Sequence, residues 1–241
     1  MNQEKGKGAN ALGPIHFGDR RSLGGEIASV LRGGIVTGRL RPGDRLGHDD
    51  LARRLGVSAM PVREALFVLT GEGIVESIPR RGFRVIQITR RDFSDIFSVH
   101  AFVAGELAGA AALAFTEEHA LALRTLQRQI DAVAAGVSVP TDATIATRIA
   151  DLNFQFHRTI NRIPDAGRLR WFLRAATRYV PDKFYEDVPG WVDMTVSEHM
   201  PLIDSLARRD PTAARSLAAD HVSRAGDLVI SHLEQAGYWG P

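Results

Sequence analysis

The 241-residue chain has no cysteine, 44% hydrophobic residues and only 7% aromatics. That excludes disulfides, thiolate metal sites and cysteine nucleophiles, and fits a helix-rich globular protein. Its length suits two domains of roughly 70 and 150 residues. The net charge of +2 is unevenly spread: residues 1–91 hold 16 Lys/Arg against 9 Asp/Glu (+7), and the remainder holds 14 against 19 (−5). Only the first third is therefore expected to meet a polyanion.

Residues 1–20 read as a disordered, weakly basic tail without a signal-peptide core. No apolar run approaches the ~18 residues that span a membrane, so the expectation is a cytoplasmic protein with no membrane partner. Residues 21–88 carry the signals of a winged helix-turn-helix. Ile27, Val30, Leu31 and Ile35 share a helical face in 22–37, and Pro42-Gly43 marks a turn. Asp49 or Asp50 is expected to open a short second helix with Leu51, Ala52 and Leu55 inward, and Gly56 to close it.

A third helix is expected to start at Ser58, a good N-cap. Pro61 then falls in the first turn, where a missing N–H is harmless. Val62, Leu66 and Leu69 form its buried stripe and Gly73 ends it. That leaves Ala59, Met60 and Arg63 on the outer side near the N-terminus, where a recognition helix meets base edges; an arginine there can offer a fork to guanine or hold a phosphate. Residues IVESIPRRGFRVI predict two strands joined at Pro79-Arg80-Arg81-Gly82, a basic wing tip suited to a minor groove or a backbone. A single solvated arginine or an ordinary exposed hairpin would explain each feature alone; turn, cap, stripe and basic tip together favour DNA.

From residue 91 to 236 the composition predicts an all-helical bundle of six or seven helices, at about 91–115, 117–135, 143–163, 167–186, 194–209 and 211–236. The fold class expected is thus mainly α, a winged helix-turn-helix followed by a helical bundle. Asn153 and His157 lie four apart on one helix face, while His199 and His221 fall on two further helices. Two readings stay open for them: buried histidines satisfied by hydrogen bonds, or three imidazoles and an amide oxygen converging on a divalent cation such as zinc or nickel.

The run LARRLGVSAMPVREALFVLTGEGIVESIPRRGFRV closely resembles the DNA-binding domain of GntR-type bacterial transcription regulators. The helical part resembles the FCD effector domain of their FadR-like branch. The resemblance implies DNA contacts by Ser58, Arg63 and Gly82. The sequence departs from it at Ala59, where many relatives carry arginine, and at Met60, where threonine is common. It also implies a metal site of Asn153, His157, His199 and His221, with Asn153 standing where aspartate is frequent. His100 replaces an arginine that clamps a carboxylate effector in many relatives; Arg148, Arg158 and Arg174 are reserve cations.

The function expected is a ligand-responsive, DNA-binding regulator, a repressor or activator and not an enzyme. It would act as a homodimer on operator DNA, with a small organic acid bound beside the metal. Two alternatives are a metal-dependent hydrolase with a DNA-binding head and an effector-free DNA-architectural protein. Against the hydrolase, Asn153 cannot act as a general base.

Overall fold

The computed structural model describes residues 23–36, 38–136, 145–179 and 188–239. The tail expected at 1–20 lies outside them, as do residues 180–186 of the fourth bundle helix expected. The head comprises α1 (Leu23–Val36), β1 (Arg45–Leu46), α2 (His48–Leu55), α3 (Ala59–Gly71), β2 (Val75–Ile78) and β3 (Gly82–Val85). The bundle comprises α4 (Arg90–Leu113), α5 (Glu117–Ala134), α6 (Ile145–Arg162), α7 (Gly167–Thr177), α8 (Trp191–Ala207) and α9 (Pro211–Gln235). Six helices among the described residues thus make the bundle, and the chain is mainly α.

Local chemistry accounts for most boundaries. Ser58 occupies the N-cap of α3 with extended backbone, but its hydroxyl makes no capping hydrogen bond. Pro61 falls in the first turn, and Val62, Leu66 and Leu69 are fully buried together with Ala65. Gly56 caps α2 in the left-handed conformation. Thr89 and Asp92 form a reciprocal capping box on α4, and Asp210 accepts from Thr212 and Ala213 at the start of α9, with Pro211 in its first turn.

Several expectations are corrected. The sheet has three strands in the order β1-β3-β2, all antiparallel, because Arg45 and Leu46 pair with Arg84 and Phe83. A two-residue strand is too short to show the alternation that reveals a strand. α2 opens on Gly47, two residues before Asp49, and the aspartates sit in the first turn near the free N–H groups; there Asp50 pairs with Arg53 and Arg54. Leu55 is exposed rather than inward. Val30 is 64% exposed, since at about 100° per residue it lies to one side of the stripe centred on Ile27, Leu31 and Ile35.

One continuous apolar core joins head and bundle, running from Leu66 and Phe83 through Phe93 and Trp191 to Val229. Polar contacts pin the junction. Glu72, its side chain 8% exposed at the end of α3, takes Arg32 Nε at 2.8 Å and Arg178 Nη1 at 3.3 Å, and its carbonyl accepts from the Tyr179 hydroxyl. The Trp239 indole donates to the Ile88 carbonyl at 2.8 Å, beside Phe93.

α4 is the one described helix long and apolar enough on average to cross a membrane, although Ser98, His100 and Glu106 interrupt its apolar run. Half of its apolar window is buried, chiefly against α9. The two helices touch where Gly226 meets Phe97: a Cβ on Gly226 would stand 2.6 Å from Phe97 Cγ. Gly226→Ala should therefore destabilise by about 1–3 kcal/mol through overpacking. Thermal unfolding reads the loss, and an unchanged Tm would show that the helices can part freely.

Candidate nucleic-acid interface and metal centre

The outer surface of the head carries the expected DNA-facing residues. Ser58, Met60 and Arg63 are exposed at the N-terminal end of α3, Met60 at 68%. Ala59 departs from expectation: it is partly buried against the core, so less of its surface is left to meet DNA. The Arg63 guanidinium lies over the Phe67 ring, 5.6 Å from its centroid.

At the wing, Ile78 and Gly82 are opposite one another, leaving Pro79, Arg80 and Arg81 as a three-residue tip. Arg81 N–H donates to the Ile78 carbonyl at 3.0 Å. With Pro79 holding its φ negative and Arg80 at φ +61°, this is a type II turn whose glycine-favouring position is filled by arginine. Gly82 follows at φ +86°, a conformation that costs it nothing. Both arginines of the tip are exposed. Beside them on the open face of the sheet stands Arg45, across from Arg84; the sequence reading missed it together with β1.

In the bundle, α6, α8 and α9 bring His157, His199 and His221 together, with one ring nitrogen from each lying within 4.8 Å of the others. His157 Nε2 and His221 Nε2 are 3.2 Å apart. Nitrogens bound to one zinc ion at about 2.0–2.1 Å stand roughly 3.0–3.4 Å from each other, so this spacing suits a shared cation. His199 is fully buried and lies flat on Phe156, with ring centroids 3.8 Å apart.

The hydrogen bonds behind the histidines decide where their protons sit. The Gln127 amide nitrogen donates to Asp131 Oδ1 at 2.7 Å and to the Val196 carbonyl at 3.3 Å, both of which only accept. Its oxygen, 2.8 Å from His199 Nδ1, must therefore take a proton from that nitrogen. The lone pair of His199 is left on Nε2, which is buried without a hydrogen-bond partner among the described residues. His221 Nδ1 likewise donates to Glu198 Oε2 at 2.9 Å, and Arg224 holds the other carboxylate oxygen at 2.7 Å. His221 Nε2 thus presents a lone pair to His157, whose own Nε2 carries the proton between them when no cation is there.

Asn153 shares the α6 face of His157, and its side-chain oxygen is also buried with no hydrogen-bond partner among the described residues. Two orphaned acceptors beside a His157–His221 pair that shares a single proton fit a cation better than they fit a set of mutually satisfied histidines. Gln127 and Glu198 orient His199 and His221 from behind, as the carbonyl or carboxylate partners of metal-bound imidazoles do. Neither was identified from the sequence; the only signal was Glu198 standing next to His199.

Burial pushes the His157 and His199 pKa values well below the ordinary range, and the charge of His221, when that ring is protonated, adds repulsion. Burial drives the Glu198 carboxyl upward, but its hydrogen bond to His221 and the charges of His221 and Arg224 outweigh this and lower it. His100, partly buried on α4, stacks near Phe97, and its pKa falls to about 4 through burial and then the charge of His221. It therefore stands near the cluster as a neutral ring. Arg158 and Arg174 are exposed, as ordinary solvated helix residues are, and Arg148 is partly buried.

Residues 23–85 match the family described as "Bacterial regulatory proteins, gntR family", and residues 95–224 match the FCD domain. The chain is 29% identical over 199 residues to an uncharacterized HTH-type transcriptional regulator of Mycobacterium tuberculosis H37Rv, covering 83% of this chain and 78% of the relative. It is 27% identical to a probable D-xylose utilization operon transcriptional repressor of Paenarthrobacter nicotinovorans (85% and 87% covered) and 24% identical to the transcriptional repressor RspR of Escherichia coli K12 (89% and 92% covered). The structure of E. coli McbR/YncC has the same fold, with a TM-score of 0.64 at 21% identity over 88% of this chain and 98% of that one. These relatives are transcription regulators rather than enzymes, which sets the hydrolase reading aside. The chain belongs to the GntR family of bacterial regulatory proteins, with an FCD domain as its helical half.

Proposed function

We propose that the protein is a metal-dependent, carboxylate-responsive repressor. In this reading residues 21–88 bind operator DNA and residues 91–236 bind the effector and form a cytoplasmic homodimer. Ser58, Met60 and Arg63 meet the major groove, with Ala59 at its edge, and Arg80, Arg81 and Gly82 hold the wing against the duplex. The name of two relatives as repressors supports the direction of control. A two-fold symmetric operator would require two such heads.

The observation that carries the effector reading is the charge of the histidine cluster. His157, His199 and His221 are neutral ligands, and Asn153 adds an uncharged oxygen. A zinc or nickel ion held there would keep most of its double charge, because Glu198 is already engaged by Arg224. The ion would supply an attachment point for an anion, and His100 would border it as a neutral hydrogen-bonding ring. A small carboxylate is the simplest ligand to satisfy both. Its effect on DNA requires different affinities for two arrangements of the heads.

Duplexes enriched from a random pool by the protein provide the test. Arg63→Ala should weaken binding to them by about 5- to 100-fold, the worth of a good bidentate base contact. A panel of small carboxylates should contain one that releases this DNA from metal-loaded but not EDTA-treated protein. Unchanged affinity in the Arg63 variant would remove its assigned role. Should no carboxylate act on the metal-loaded protein, the effector-free architectural reading takes its place.

A further inference from the structure

The solvent face of α3 is less polar than a groove-facing helix requires. Phe67 is 50% exposed and Val68 44% exposed, on the same helix that presents Arg63. An aromatic ring half in solvent on the face that presents Arg63 raises the question of a role.

Its contacts supply one. Phe67 is four residues after Arg63, so both share a helix face. One face of the ring lies under the Arg63 guanidinium at 5.6 Å. The ring also packs edge-on against Phe83 of β3, at 5.4 Å and 84°. Phe83 is itself buried, between Leu46 and Ser77 in the sheet. No carboxylate among the described residues pairs with Arg63, so the ring is its one charge-complementary partner there.

We infer that Phe67 is a positioning residue for DNA readout: braced by Phe83 of the wing, its ring holds the Arg63 guanidinium ready to meet a guanine edge. The inference rests on the DNA-binding reading of α3. A planar guanidinium resting on a ring face keeps its in-plane N–H donors free to point outward. A pre-ordered fork loses less freedom on binding, and the gain applies only where the fork meets its base. Non-specific binding, which depends on phosphate charge, should not sense the ring.

The experiment is a double-mutant cycle on full-length protein, with a duplex enriched from a random pool and a random-sequence duplex as probes at one salt concentration. Phe67→Leu retains apolar bulk and loses the π face. It should weaken the enriched duplex by roughly two- to five-fold, the worth of an exposed cation–π contact, with the random duplex unaffected. Phe67→Tyr, which retains the ring, should rescue the loss and guards against a folding defect in the leucine variant. In an Arg63→Ala background, Phe67→Leu should cost nothing further.

An equal loss with and without Arg63 overturns the positioning role, since the ring would then act by its own contact. So does a tyrosine variant as weak as the leucine variant. If Arg63→Ala leaves both probes bound as tightly as before, the DNA reading of α3 falls and this inference with it; an Arg63 effect with additive Phe67 loss overturns the positioning alone.

Discussion

Zinc or nickel added to EDTA-stripped protein is expected to raise its melting temperature by roughly 5–10 °C. At a free concentration a hundredfold above Kd, linkage stabilises the folded state by about 2.7 kcal/mol, and a domain of this size shifts by about 2–4 °C per kcal/mol. The physical source is local. His199 Nε2 and the Asn153 side-chain oxygen are buried without partners among the described residues, and His157 and His221 share one proton across 3.2 Å. A cation satisfies these atoms in the folded chain, whereas the unfolded chain offers no assembled site.

His199→Ala should abolish the shift. Gln127→Leu, which leaves all three histidines in place but frees His199 to adopt the other tautomer, should weaken metal binding about 10- to 100-fold. Differential scanning calorimetry with each ion, before and after stripping, measures both effects. A melting temperature indifferent to both ions would overturn the metal reading, and a Gln127 variant that binds as tightly as the parent would remove its orienting role.

The second large effect is acid sensitivity of the metal-free protein. An unfolded histidine takes up its proton near pH 6.5, while folded His100 resists until about 4 and His157 and His199 are also held well below the ordinary range. Between these values the unfolded state binds more protons, so stability falls as pH falls. It is fully present above pH 6.5 and declines through pH 4, by up to about 1.4 kcal/mol per pH unit for each histidine kept neutral.

The Glu198 carboxyl, lowered in the folded state, adds stability that begins to fade near its ordinary value of 4.5 and is lost as pH drops through its depressed one. Urea midpoints of EDTA-treated protein measured from pH 7.5 to 4.5 should therefore descend steeply, and His100→Asn should make the descent shallower. A flat profile over that interval would show that these rings titrate freely in the folded protein. Metal-loaded protein should resist acid until protons displace the ion, because the same nitrogens bind both.

What could be read from the chain alone was what neighbouring residues decide. Ser58 ahead of Pro61, glycine at 56 and 73, and Val62, Leu66 and Leu69 at helical spacing define α3, because caps, proline geometry and the 3.6-residue period act within a few residues. The same period located the six bundle helices, and the Arg-Arg-Gly tip between two short apolar runs located the wing. Val30 and Leu55 were misplaced because a face shared within one helix does not say how wide a stripe its neighbours will cover. The pair Arg45-Leu46 has strand geometry only because β3 lies beside it.

The candidate metal centre depends wholly on such distant neighbours. His157, His199 and His221 come from three helices, and spacing alone could not separate ligands from ordinary buried histidines; the family resemblance selected them, and the packing of α6, α8 and α9 puts their nitrogens within one small volume. Gln127 and Glu198 look like any polar helix residues until the packed bundle turns them toward His199 and His221. Nothing local marks Phe67; only the packing of α3 leaves it half in solvent beneath Arg63. Short-range sterics and periodicity therefore made the secondary structure legible in the sequence, and the motif run around α3 and the wing carried the family resemblance. Proton positions, orphaned atoms and ring contacts were decided by tertiary packing, because each depends on atoms that only folding brings within a few ångströms.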